Sequence, residues 1–164
     1  MDRTYVMVKP DGVRRGLVGA ILSRFEAKGF RLAGLRMRLP EEDTLRRHYA
    51  ALADRPFFAS LLAYVGSGPV VCLCLALGGD GGTSVTVARA LIGPTDPCEA
   101  PTGTIRGDFG LESGANVVHG ADSAEAAERE IALWFEGEGV LDEEFTQQER
   151  LNSNYHLPSR ISVT

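Results

Sequence analysis

Between Phe57 and Leu77 the chain carries no charged residue, and no other stretch limits its possible folds so strongly. Its length alone would qualify it as a membrane span. Gly66-Ser67-Gly68-Pro69 interrupts it in the middle. So dense a set of helix breakers divides it into a short helix over 57–65 and a buried strand over 70–77, which speaks against a membrane. With 164 residues, 44% of them apolar, the chain can bury one core of ordinary size and reads as a single soluble domain.

The flanking segments supply partners for that strand. Arg3 to Lys9 alternates and is rich in β-formers, and it meets Pro10-Asp11-Gly12, where a proline that cannot donate and a glycine free to take positive φ predict a turn. Leu17, Val18, Ile21, Leu22 and Phe25 recur at helical spacing up to Lys28-Gly29. Phe30 to Leu39 reads as a second strand, and the acidic Pro40-Glu41-Glu42-Asp43 opens a helix with Tyr49 near its end. After the third strand, Gly78 to Gly82 is a loop, followed by a short helix through Arg89 to Ile92. Gly93 to Ser113, with three prolines and four glycines, shows no period and reads as a long loop of the kind that carries function. Ala115 to His119 makes a last strand. Asp122-Ser123-Ala124-Glu125 then starts a helix with Ala127, Ile131, Trp134 and Phe135 on its apolar face, ended by Gly137-Glu138-Gly139.

This order contains a split βαβ pair, predicting an α+β fold: a ferredoxin-like four-stranded antiparallel sheet (βαββαβ core) with helices on one face and a long functional loop. The domain is expected over 1–136, with 137–164 an irregular extension that contacts a neighbouring subunit.

The charge balance, 17 Lys plus Arg against 22 Asp plus Glu, offers no general attraction to nucleic acid. Three cysteines without a metal-binding spacing, and an N-terminus that meets charge too early for a secretory leader, predict reduced thiols in the cytoplasm.

His119 ends an apolar strand just before a helix N-terminus, where unpaired backbone N–H groups favour an anion. Taken alone, that position fits a strand-end histidine satisfied by the backbone better than a phosphorus nucleophile. Lys9 lies at the equivalent end of the first strand, and a loop bringing Arg89, Thr95 and Arg106 toward the histidine would supply charges for a phosphate chain; individually each fits a solvated surface group better. If they converge, they supply the placed nucleophile and the positive charge that phosphoryl transfer needs.

Taken together, Lys9-Pro-Asp-Gly, Tyr49, Arg55-Pro56-Phe57-Phe58, Ser67-Gly68-Pro69-Val70-Val71, Thr104-Ile105-Arg106-Gly107-Asp108-Phe109 and Asn116-Val117-Val118-His119-Gly120 resemble the nucleoside diphosphate kinases in order and spacing, over about residues 3 to 136. The resemblance implies a ping-pong cycle in which His119 takes the γ-phosphoryl group of a nucleoside triphosphate, usually ATP, and gives it to a diphosphate of another base. It further implies that Lys9, Arg89, Thr95, Arg106 and Asn116 hold phosphates or ribose, that Tyr49 lies beside the histidine and that Phe57 stacks on the base. Glu130 would set the histidine's environment, Mg2+ would arrive bridging the nucleotide phosphates, and the chain would form a homo-oligomer, hexamer or tetramer.

The chain departs from that pattern at His119-Gly120-Ala121-Asp122, where the family normally has serine in place of Ala121, and at Ser113 and Ala115. The Gly78 to Thr83 loop is longer than usual and the ending after Phe135 differs. The missing hydroxyl predicts reduced turnover, and the competing reading is an interaction protein that kept the fold. Nucleic-acid binding as a main function is disfavoured by the acidic balance.

Overall fold

In the computed structural model, residues 2–77 and 83–141 are described; the glycine loop expected over 78–82 and the tail beyond 141 lie outside them. Four strands, β1 (Arg3–Val8), β2 (Arg31–Arg38), β3 (Val70–Ala76) and β4 (Val118–Gly120), form one sheet in the order β2-β3-β1-β4 with every pairing antiparallel. This is the ferredoxin-like arrangement expected from the element order.

Helices α1 (Pro10–Arg14) and α2 (Val18–Ala27) link β1 to β2; α3 (Glu42–His48) and α4 (Phe58–Val65) link β2 to β3; α5 (Thr83–Ile92) and α6 (Ile105–Phe109) link β3 to β4; α7 (Ala124–Phe135) follows. They cover both faces of the sheet rather than one. Tyr5 and Met7 of β1 point into a core built with Leu45 of α3, Val65 of α4 and Trp134 of α7, whereas Val6 and Val8 point into a second core with Phe25 of α2, Ile92 of α5 and Ile105 of α6. The reason is in the strands: β1 past its first residue and β3 throughout are buried at every position, and successive side chains face opposite ways, so each face needs its own cover.

Three local expectations are revised. The Lys-Pro-Asp-Gly segment is the start of α1, with Pro10 in its first turn, rather than a tight turn. Gly12 is needed there for space, not for φ: a Cβ would stand 2.8 Å from Val8 Cγ1 and 3.0 Å from the Val117 carbonyl oxygen. The segment from Gly93 to Ser113 contains a 3-10 turn at Pro97–Glu99, capped by Asp96, and α6, capped by the Thr104 hydroxyl accepting from Gly107 N–H. Those short elements are set by side-chain capping, which periodicity does not reveal. The last strand begins at Val118, because Val117 has φ 58° and cannot continue a ladder.

The chain past α7 stays on the body: Leu141 N–H donates to the Ala33 carbonyl of β2, and Gly139 crosses Gly34 so closely that a Cβ there would meet the Gly139 carbonyl at 2.8 Å.

Candidate active site

His119 lies in β4 opposite Met7 of β1, on the side covered by α3 and α7. Its Nε2 is 2.9 Å from Glu130 Oε2 of α7, and the two side chains are 21% and 6% exposed. Burial raises the Glu130 carboxyl to about 7. Burial, then Lys9 and Arg106, lower the His119 imidazole to about 3. The ring is therefore neutral at physiological pH. With the carboxylate facing Nε2, the ring proton belongs on that nitrogen and Nδ1 keeps its lone pair.

A second histidine, His48 at the end of α3, packs edge-on against His119 with ring centres 4.6 Å apart. The Trp134 indole N–H donates to His48 Nδ1 at 3.0 Å, so the His48 proton sits on Nε2, a buried atom with no hydrogen-bond partner. Tyr49 is edge-on to His48 at 4.4 Å and 6.1 Å from the His119 ring; its hydroxyl is likewise buried without a partner, and burial raises its pKa. Sequence reading missed His48. Its one signal was the three-residue spacing from Leu45, which puts both side chains on the buried side of α3.

The cationic side of the site is built from β1, α5 and the long connection. Lys9 Nζ donates to Asn116 Oδ1 at 2.8 Å, and Asn116 Nδ2 donates to the Thr95 carbonyl at 2.9 Å. Burial, then Arg106, push the Lys9 ammonium down to about 8. Arg106 is 8% exposed and ties the connection to the sheet, donating to the Gly93 carbonyl at 3.0 Å and the Val118 carbonyl at 2.9 Å. Burial, then the charge of Arg89, lower its pKa to about 10. Arg89 itself is exposed in the last turn of α5.

So His119, Glu130, His48 and Tyr49 pack as one group, Lys9, Asn116 and the Thr95 carbonyl form a hydrogen-bonded one, and Lys9, Arg106 and Arg89 act on His119 through their charge. Phe57 stands apart at the N-terminus of α4, 45% exposed, with the Arg55 guanidinium 5.9 Å from its ring centre.

One donor set resembles a metal site among the described residues: His48, His119 and Glu130 each offer an atom within 4.8 Å of the others. The indole bond to His48 Nδ1 leaves His48 Nε2 protonated, however, so that nitrogen has no lone pair to offer. What the group can do instead is hold polyanionic oxygens beside an unprotonated imidazole nitrogen, the requirement for phosphoryl transfer to nitrogen.

The comparisons with known proteins agree with that chemistry. The family model described as nucleoside diphosphate kinase matches residues 2–140. The chain is 51% identical over 141 residues to nucleoside diphosphate kinase A of Homo sapiens, covering 86% of this chain and 90% of that protein. It is 50% identical over 142 residues to the nucleoside diphosphate kinase of Gloeobacter violaceus, covering 87% and 93%. Among solved structures, a halophilic nucleoside diphosphate kinase from Halobacterium salinarum in complex with CDP superposes with a TM-score of 0.81 at 43% identity, covering 86% of this chain and 91% of that one. Matched across nearly all of its described length, the chain belongs to the nucleoside diphosphate kinase family.

Proposed function

We propose that this chain transfers the γ-phosphoryl group of a nucleoside triphosphate, usually ATP, to a nucleoside diphosphate through a phosphorylated His119. The observation that carries the reading is the His119–Glu130 pair at 2.9 Å beside Lys9 and Arg106, which gives a neutral imidazole with a free Nδ1 in a cationic setting. The Nδ1 lone pair attacks phosphorus, the bond to the β–γ bridging oxygen breaks, and the diphosphate leaves with that oxygen. Nε2 keeps its proton, and Glu130 balances the positive charge that develops on the ring. A terminal oxygen of the acceptor diphosphate then attacks the same phosphorus and restores the free imidazole.

Lys9, Arg89, Thr95, Arg106 and Asn116 hold phosphate or ribose oxygens in this reading, Tyr49 buttresses the ring and Phe57 stacks on the base, which accepts any base because each has a π-face. The donor set suits Mg2+ carried on the nucleotide rather than in a protein cage: Glu130 is engaged with His119 and Asp11 with a backbone N–H, leaving cations to face the phosphates. When bound there, Mg2+ neutralises phosphate charge.

Incubation with γ-labelled ATP and Mg2+ tests the reading. An acid-labile label on the protein that a chase with GDP or CDP removes is the expected result. Nucleotide binding without label would favour the interaction-protein alternative.

Two further outcomes follow. Glu130 accepts the Nε2 proton only as a carboxylate, and its pKa is raised to about 7 by burial, with His48 and Arg129 pulling it down and Asp122 pushing it up. The single-turnover labelling rate should therefore climb as pH rises from about 6 to 8, and the climb should vanish in Glu130→Gln. A step that persists in Glu130→Gln would assign it to another group. Ala121 is buried beside the site, its N–H donating to the Tyr5 carbonyl. Restoring the missing hydroxyl with Ala121→Ser should raise the labelling rate by up to about tenfold; no gain would show that the hydroxyl is dispensable here.

The chain forms a homo-oligomer, hexamer or tetramer, in the same proposal. Supporting it, β2 is a sheet edge, and Leu35, Met37 and Leu39 stand out from one side of it at 48%, 58% and 70% exposure. Leu35→Lys/Met37→Lys is expected to run at a lower mass than the parent in light scattering, and a monomeric parent would refute the assignment. A cytoplasmic location fits the three free cysteines, and no helix among the described residues is long and apolar enough to cross a membrane.

A further inference from the structure

Val117 is the most improbable backbone position near the site. It is β-branched, fully buried, and has φ 58°, a conformation that crowds Cβ against its own backbone and that such residues adopt only when their surroundings impose it. Val118 N–H donates back to the Asn116 carbonyl at 2.7 Å, closing a three-residue turn centred on Val117, the strained form of that turn. Two further bonds hold it. Lys9 N–H donates to the Val117 carbonyl at 2.9 Å, and Val117 N–H donates to Asp11 Oδ2 at 3.1 Å. Asp11 is 7% exposed, and Gly12 beside it leaves just enough room for the Val117 carbonyl.

The turn has a consequence for the site. Along a regular strand, residues three apart face opposite sides. The turn at Val117 breaks that alternation, so that Asn116 and His119 both come under the influence of Lys9, the first by hydrogen bond and the second through its charge.

We propose that Asp11 is a positioning residue whose carboxylate, by accepting the Val117 N–H, holds the chain in a strained turn that sets Asn116 and His119 on the same side of β4. The proposal rests on His119 being the phosphoryl acceptor. Asp11 touches neither nucleotide nor the imidazole in this assignment; it acts through the backbone at Val117. Without its carboxylate, Val117 relaxes toward negative φ and Asn116 and His119 lose their common register.

The experiment compares Asp11→Ala, Asp11→Asn, and Asp11→Ala combined with Val117→Gly. Three readouts are used: Tm, the single-turnover labelling rate at saturating ATP and Mg2+, and the side-chain 15N shifts of His119. Asp11→Ala should lower the rate by about 100-fold, the size of effect that a small misplacement of reacting groups produces. Asp11→Asn keeps an acceptor oxygen and should recover most of that loss. Val117→Gly adds a glycine free to take positive φ but empties part of the core. The double variant should therefore regain rate while its Tm falls further. Rate that simply follows Tm through the series would overturn the proposal, as would Asp11→Ala at saturating ATP within about threefold of the parent. Loss of rate in Asp11→Asn equal to that in Asp11→Ala would also overturn it, pointing to the negative charge instead of the hydrogen bond. If Asp11→Ala does not fold, the parent, Asp11→Asn and Val117→Gly alone still decide the matter: Val117→Gly should keep the parent's His119 shifts despite a lower Tm, and displaced shifts would count against the turn. A parent that takes no label defeats the nucleophile assignment, whereas the His119 shifts across the series test Asp11 without any turnover.

Discussion

His119→Ala is expected to lower turnover by about 10^5-fold or more, because the alanine removes the only atom in the proposed cycle that can carry the phosphoryl group between two nucleotides. The rest of the group should survive the change. Lys9 and Asn116 bond to each other rather than to the ring, and Arg106 is anchored on the Gly93 and Val118 carbonyls. Nucleotide affinity should accordingly stay within about threefold of the parent, a loss confined to the rate of transfer. Glu130 loses its partner, and a buried carboxyl left without one is held neutral by desolvation, so little stability should be lost. A coupled turnover assay with a nucleotide-binding titration on the same preparation checks both halves. Residual acid-labile label on the variant would mean that another nitrogen accepts phosphate; His48, 4.6 Å away ring to ring, is the one to look for.

Arg106→Ala should have the second largest effect and should be visible in stability as well as rate. The guanidinium is the bridge between the end of α5 and β4: it satisfies two carbonyls, and removing it leaves those buried acceptors to find other partners. Each such lost bond to a charged donor costs on the order of 1.5–3 kcal/mol. Its positive charge also acts on His119, and in the proposed cycle losing one such stabilising group costs about 100- to 1,000-fold in rate. Arg106→Lys separates the two contributions, since a single ammonium keeps the charge but cannot serve both carbonyls at once. The expected order of labelling rates is parent, then lysine, then alanine, with Tm of the lysine variant nearer the alanine variant. Equal labelling rates in the parent and Arg106→Ala would remove Arg106 from the site and leave it a purely structural tie.

Much of this protein is readable from its residues. The breaker run at Gly66 to Pro69 separates α4 from β3 as expected, because glycine and proline act on the backbone locally and need no tertiary partner. The amphipathic spacing of α2 and the serine cap of α7, where the Ser123 hydroxyl accepts from Ala126 N–H, are equally local. Local signals also mark the chemistry: His119, Lys9 and Arg106 stand out as polar groups at the ends of apolar or glycine-rich segments.

What was hidden depends on contacts between distant parts of the chain. Whether one face of the sheet or two would be covered depends on where the connections pass, and the packed structure puts α2 and α6 on one side and α3, α4 and α7 on the other, with α5 contributing to both cores through Val85 and through Ala88 and Ile92. His48 reads as an ordinary helix residue until Trp134, 86 positions later, donates to it. Val117 reads as a strand residue until Asp11, 106 positions earlier, holds its N–H. Propensity and charge belong to individual side chains, so the residues alone mark which segments can be strands and helices and which groups could carry a phosphoryl group. The tautomer of His48 and of His119 and the strain at Val117 are set by folding. Both depend on buried hydrogen bonds between residues that meet only after folding.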